Sequence, residues 1–335
     1  MITEEEMAAR KQEMQNWYWW GIPTFFKCPA NEDPAAADIG LVGVPHSSGN
    51  GSTERDQHLG PRAVRHVSGR FRRAHEVYGF RPWDEFRIND LGDVPLPEAM
   101  NNDRSVVHIE EYFRRLNEHG VRPVSVGGDH AITGPILKAY GGEGSKVTGG
   151  RKLALVHFDA HRDDYEFMGH WLGSYRSSAH WSAYTVREGN VDPDRSVQVG
   201  MRGNPLKPLE GSVKSDVGHK IIPADHIFRQ GIETTIQQIR DRVQDQPIYI
   251  TFDLDVLDVA DAPAASNLEA GYRGLRAYEA IEILRGMRGL NVVGADIVCY
   301  IPTKDNPNMI TGLTASVVMF ELIALISDHL RSGGK

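Results

Sequence analysis

Three runs of β-forming apolar residues in this chain each end on a short cluster of aspartate, in two cases with histidine. Val124-Ser125-Val126 leads into Gly127-Gly128-Asp129-His130, residues 153–158 into Asp159-Ala160-His161-Arg162-Asp163, and residues 248–252 into Asp253-Leu254-Asp255-Val256-Leu257-Asp258. This restricts the fold, because charged groups are costly inside a sheet and tolerable where its strands end. In an open α/β sheet that edge is also where sites are built. Side chains two apart on a strand project to the same side, so Asp159, His161 and Asp163 can converge, as can Asp253 and Asp255. With His130 they supply four carboxylates and two imidazoles, enough for two metal ions. A single Asp-x-Asp or Asp-x-His more often marks a turn, a cap or a solvated strand end. Three at separate strand ends are different: carboxylates gathered at one edge repel one another unless cations neutralise them.

The remainder of the chain alternates in the same rhythm. Strands are expected at 39–44, 196–200 and 291–298, and helices at 60–67, 231–244, 275–288 and 311–330. Asp103 reads as the N-cap of a helix carrying Val107, Ile109, Tyr112, Phe113 and Leu116, with Gly120 as its stop signal. Repeated βα units predict an α/β fold: a mainly parallel sheet covered by helices on both faces.

Two stretches fall outside this rhythm. Residues 1–37, with Trp17-Tyr18-Trp19-Trp20 and Phe25-Phe26, are too apolar for a solvated tail and are expected to pack on the core or on a neighbouring subunit. Residues 38–335 are then expected to form a single catalytic domain, although 335 residues would also allow two. The glycine-rich stretch 141–151 lacks the Gly-Lys-Ser/Thr ending of a phosphate loop and reads as a flexible connection.

Charge and composition remove several function classes. A net charge of −8 argues against nucleic acid as a partner. The longest apolar run, 316–326, carries Glu321 and is expected to be a buried helix rather than a membrane span. Acids at Glu4, Glu5 and Glu6, with only two cysteines, Cys28 and Cys299, predict a reducing cytoplasm.

The order of the three segments, with His180 between the second and third and Ala262-Pro263 after the last, resembles the ureohydrolase (arginase/agmatinase) family over residues 38 to 330. The resemblance implies a three-layer α/β/α fold, a centre of two divalent ions, hydrolysis of a guanidino group, and trimers or hexamers of like or related chains. Matched by position, His130, Asp159, Asp163 and Asp253 would hold one ion, and Asp159, His161, Asp253 and Asp255 the other. His180 would shuttle protons, and Asp129 and Asp258 would orient the ligands.

The chemistry suits such a centre. A guanidinium is a poor electrophile because its charge is delocalised, and its nitrogens leave badly until protonated. Two divalent ions about 3.5–4 Å apart can share a hydroxide, lowering the pKa of water from 15.7 toward ~7. Four carboxylates around two such ions and a hydroxide leave a small negative balance, which suits a cationic substrate. Proton delivery through Asp255 or His180 would let the amine depart.

The chain departs from the family pattern where substrate is chosen. Arginases and agmatinases typically carry a glutamate in an Asp-x-x-Glu segment near the last strand; here it reads Asp296-Ile297-Val298-Cys299. A thiol cannot form the charge-assisted pair a carboxylate forms with a guanidinium. Glu269, in the altered stretch Ala265-Ser266-Asn267-Leu268-Glu269, either replaces that acid or is a surface-loop residue. The blocks 44–62, 266–269 and 302–308 look like the branch that acts on free guanidine and on biguanides such as metformin. In that branch Ni²⁺ rather than Mn²⁺ can be the working metal, a choice the ligand types alone leave open. Asn50, Glu54, Arg55 and His58 are candidates to line the pocket. Arg162 is expected to turn away from the metals by alternation, yet a guanidinium there could also pair with a ligand. The expected function is therefore hydrolysis of free guanidine or a biguanide. The alternatives are an agmatinase or guanidino-acid hydrolase such as a guanidinobutyrase, and a supporting subunit of a two-chain complex.

Overall fold

In the computed structural model, residues 2–15, 17–51, 54–166, 174–203 and 215–334 are described. Among them eight strands form one sheet: β1 Ile39–Val44, β2 Ile88–Asp93, β3 Arg122–Gly127, β4 Ala154–Phe158, β5 Val197–Val199, β6 Lys220–Ile222, β7 Ile248–Asp253 and β8 Val292–Val298. Their order is β2-β1-β3-β8-β7-β4-β5-β6, and every pairing is parallel. The three signature segments leave β3, β4 and β7, and Cys299 leaves β8. These four are adjacent at the centre, so a parallel sheet delivers all four ends to one edge.

Side-chain alternation divides the core between two faces. Ile39 and Leu41 of β1 join Val156, Phe158, Ile250 and Phe252 under the helices Gly60–Ser68, Ile232–Val243, Ala277–Arg285 and Ile310–Arg331. Val42 and Val44 point the other way, with Leu155 and Tyr249, toward the helices Asn102–Glu118, Thr133–Tyr140 and Trp181–Arg187. The result is a three-layer α/β/α fold. The helix Ile310–Arg331 is long and apolar enough to cross a membrane, but 72% of its most apolar stretch is buried in the protein.

Several local expectations change. Sequence rhythm passes over β2, because Asn89, Asp90 and Asp93 interrupt its apolar pattern, and over β6, which has three residues. The cap of the helix Asn102–Glu118 is Asn101, whose side chain accepts from the Arg104 amide at 3.3 Å; Asp103 lies in the first turn instead. Residues 141–151 are tied down rather than a free connection: Asn117 Oδ1 accepts from the Val147 amide at 3.0 Å, and Thr148 Oγ1 donates to the Tyr140 carbonyl at 3.1 Å. In the N-terminal stretch, Phe25 and Phe26 are fully buried, while Trp19 remains 62% exposed.

Candidate metal centre

His130 starts a tight turn directly after β3. The Asp129 carboxylate fixes that turn, accepting from the amides of Ala131 at 3.1 Å, Gly49 at 2.8 Å and Asn50 at 2.9 Å. His130 Nδ1 then lies 3.0 Å from Asp159 Oδ2, 3.0 Å from Asp163 Oδ2 and 3.2 Å from Asp253 Oδ2. His161 Nδ1 lies 2.9 Å from Asp255 Oδ2 and 3.4 Å from Asp159 Oδ1. Asp159 thus turns one oxygen to each histidine. Asp163 reaches the group from a left-handed backbone conformation at φ 49°, and its Oδ2 accepts from Trp181 Nε1 at 3.1 Å. All six side chains proposed as ligands from the sequence meet at one edge.

A further layer decides which nitrogens face inward. Thr251 Oγ1 donates to Asp296 Oδ1 at 2.5 Å, so its oxygen accepts from His130 Nε2 at 2.9 Å. Asp296 is wholly buried and also accepts from Tyr249 Oη and Thr133 Oγ1, each at 2.9 Å. On His161, Nε2 meets Glu269 Oε1 at 3.1 Å. With the outer nitrogen of each ring engaged by this network, Nδ1 is the nitrogen turned toward the carboxylates, where its lone pair is available to a cation held among them. His157 adds a third ring: Gln198 Nε2 donates to its Nδ1 at 3.3 Å, and its Nε2 donates to Asp159 Oδ2 at 2.7 Å.

The electrostatics follow from this crowding of acids and imidazoles. Burial opposes charge on His130, yet Asp159, Asp163 and Asp253 outweigh it and hold its pKa well above the usual value. Burial and the neighbouring Asp159 raise Asp253, while burial, Asp253 and Asp159 hold Asp255 well above the carboxylate range. Asp159 goes the other way: burial pushes it up, but His157, His130 and His161 pull it well below the ordinary value. Among the described residues His130 Nδ1 is buried without a well-directed hydrogen bond, aimed at three carboxylate oxygens. Oxygen and imidazole donors arranged this way fit divalent cations of the Mn to Ni series.

The other residues singled out in the sequence have varied fates. His180 is buried beside the group, with Ser177 Oγ 2.7 Å from its Nδ1; burial lowers its pKa and the Asp163 charge opposes that. Glu269 comes into the site through His161 and is not a detached loop acid. Asn50 is buried and its Nδ2 donates to Ser266 Oγ at 3.2 Å. Glu54 accepts from that same Ser266 hydroxyl at 2.7 Å and pairs with Lys304, forming a bridge between loops. His58 is exposed, and its Nδ1 meets the Arg55 carbonyl at 2.8 Å, within its own loop. Arg55 itself donates to the Asn50 carbonyl at 2.6 Å. Asp258 does not orient ligands; it accepts from the amides of Ala260 and Gly274. Arg162 turns outward to Asp164 Oδ1 at 3.1 Å and Asp216 Oδ2 at 3.4 Å, so it does not compete for the metal-facing carboxylates. Cys299 is buried with its thiol against Asp253; burial, then the charges of Asp253 and Asp255, push its pKa well up.

His157, Thr251, Glu269 and Asp296 form the surrounding layer, of which the sequence points only to Glu269, and there as an acid for the substrate. The available signal was polarity in the wrong place. His157 and Thr251 each precede a signature aspartate by two within an apolar strand, and Asp296 sits mid-strand in β8.

Comparison with known proteins agrees with this geometry. The profile described as "Arginase: Arginase family" matches residues 37–324. The chain is 38% identical to a guanidinopropionase of Pseudomonas aeruginosa over 310 residues, covering 92% of each. It is 32% identical to a guanidinobutyrase of the same organism, covering 93% of this chain and 94% of the other. A crystal structure of a hypothetical agmatinase from Burkholderia thailandensis superimposes with a TM-score of 0.82 at 30% identity, covering 94% of this chain and 93% of that one.

Proposed function

The chain belongs to the arginase family, whose members hydrolyse C–N bonds of guanidino compounds at a centre of two divalent ions and commonly form oligomers, and on that premise we propose that its substrate is a small cationic guanidine: free guanidine or a biguanide such as metformin. The observation carrying this choice is the end of β8. The side chain packed against Asp253 there is a cysteine rather than a glutamate, and a single sulfur lacks the two carboxylate oxygens that would pair with the guanidinium of a longer substrate.

In this reading His130, Asp159, Asp163 and Asp253 hold one ion, and Asp159, His161, Asp253 and Asp255 the other. Two divalent ions, Ni²⁺ or Mn²⁺, supply Lewis acidity and a nucleophilic water at neutral pH. The protein's own groups do the rest. Thr251 with Asp296, and Glu269, keep the two rings aimed inward through their outer nitrogens. Asp255 is placed to accept a proton and pass it toward the departing amine. His180, its pKa lowered by burial and its Nδ1 beside Ser177 Oγ, would relay that proton away from the site. Cys299, Asn50 and the Ser266 loop line the site, with Glu54 bracing that loop from outside. A dense local negative field attracts the cationic substrate.

The 38% identity to a guanidinopropionase favours a second reading, hydrolysis of a guanidino acid with release of urea. Metal-loaded protein incubated with guanidine, metformin, agmatine, 3-guanidinopropionate and 4-guanidinobutyrate separates the two when urea, ammonia and dimethylamine are measured. Turnover of guanidine or metformin with little of the acids is the expected result. Turnover confined to agmatine or a guanidino acid overturns the substrate proposal. Activity appearing only with a co-expressed related chain would make this protein a supporting subunit.

A further inference from the structure

The two cysteines of this chain are both buried and free, yet they sit in different chemistry. Cys28 lies in the apolar core with Phe25 and Phe26, its sulfur accepting from Trp83 Nε1 at 2.9 Å. Cys299 lies at the end of β8, where its sulfur, a ring nitrogen of His130 and a carboxylate oxygen of Asp253 are all within 4.8 Å of one another. His130 Nδ1, which lies 3.2 Å from Asp253 Oδ2, is buried without a directed hydrogen bond.

The backbone holds the thiol there. Cys299 has φ 69°, a left-handed conformation unusual for a residue with a Cβ. Its amide donates to the Gly128 carbonyl at 2.8 Å and its carbonyl accepts from the Ser266 amide at 2.8 Å. The strained residue is therefore fixed between the loop that carries His130 and the loop that carries Glu269. Strain retained at such a point calls for a functional explanation.

We propose that Cys299 is a metal ligand: its thiolate joins the ion held by His130 and Asp253, and this sulfur biases the centre toward nickel, cobalt or zinc over manganese. The assignment rests on the two-ion reading above and deepens it. On coordination the S–H bond breaks, a metal–sulfur bond forms and the proton passes to water, with no change of oxidation state. A thiolate is a softer donor than carboxylate or imidazole, so it adds selectivity that the six other ligands lack.

The test uses the full-length protein, stripped with a chelator and titrated with Co²⁺ alone and with Ni²⁺ alone. A thiolate-to-metal charge-transfer band in the near ultraviolet is expected in the unaltered protein and in Cys28→Ser. It is expected to vanish in Cys299→Ser and Cys299→Ala, with the preference for Ni²⁺ over Mn²⁺ falling roughly tenfold or more, the scale on which lost ligand support changes affinity. X-ray absorption on the unaltered nickel-loaded protein should show a sulfur neighbour, a readout that stands if the variants fail to fold. Uptake of two ions with no sulfur signal overturns this assignment alone, as does a band that disappears with Cys28→Ser. Failure to take up any divalent ion overturns the two-ion reading and this assignment together.

Discussion

Glu321, buried on the last helix, meets His75 Nε2 at 2.8 Å and Arg285 Nη2 at 2.6 Å, while at the sheet edge the buried Asp159, Asp253 and Asp255 and the half-buried Asp163 crowd the inner nitrogens of His130 and His161. Both groups are buried and ionic, but only the first balances its charge with the chain's own bases. The difference separates a structural ion cluster from a site suited to cations: opposite charges in the core satisfy one another, and like charges gathered there repel unless cations neutralise them.

An acid-to-amide change tests this contrast, because it should act oppositely in the two places. Asp253→Asn should remove activity by several orders of magnitude and one ion per chain by elemental analysis. In metal-free protein it should raise the melting temperature, since a repelling carboxylate has gone. A fall in the metal-free melting temperature would break the comparison. Stripping both ions with a chelator should abolish activity and lower the melting temperature of the unaltered protein, reversibly on return of Ni²⁺ or Mn²⁺.

Glu321→Gln should leave metal content and turnover unchanged yet destabilise the fold by about 1–3 kcal/mol, because a hydrogen bond to a charged group is weakened while Arg285, 35% exposed, keeps contact with water. Its pH dependence has a definite sign. Burial raises the Glu321 pKa, but His75 and Arg285 outweigh that and bring it below the ordinary 4.5. Below 4.5 the unfolded chain binds the proton more readily than the folded one. The stabilisation is therefore complete above that value and lost as pH falls through the lower folded value. Denaturant melts across this window should lose this component in the unaltered protein and lack it in Glu321→Gln.

Smaller effects are expected one bond away from the cluster. Thr251→Val leaves the His130 outer nitrogen without its acceptor and should weaken metal binding about 10–100-fold, measured by competition with a metal indicator. Glu269→Gln keeps an acceptor for His161 and should cost less than Thr251→Val, whereas a metal affinity collapse would make Glu269 a direct ligand.

The two regions also differ in how far the sequence exposes them. The six ligand candidates follow apolar strand runs at short spacing, so their gathering at the strand ends is legible, but turns rather than alternation make them converge: β4 ends at Phe158, Asp163 adopts a left-handed conformation beyond it, and Asp255 lies in the tight turn Leu254–Val256. The Glu321 cluster joins residues 75, 285 and 321, with no local pattern to relate them. Strands β3, β4, β7 and β8 announce themselves by β-branched runs, whereas β2 is masked by Asp90 and Asp93, whose carboxylates pair with Arg65. Thr251 and Asp296 are not legible in the sequence, because hydroxyls and acids inside strands mean little until the neighbouring strand is known. The β7–β8 register places these two residues opposite each other.

Anomalous diffraction from crystals of the nickel- or manganese-loaded protein tests the central claim most directly. Two peaks per chain are expected, one enclosed by His130, Asp159, Asp163 and Asp253 and the other by Asp159, His161, Asp253 and Asp255. A single peak, or ions bound away from these side chains, would contradict the account.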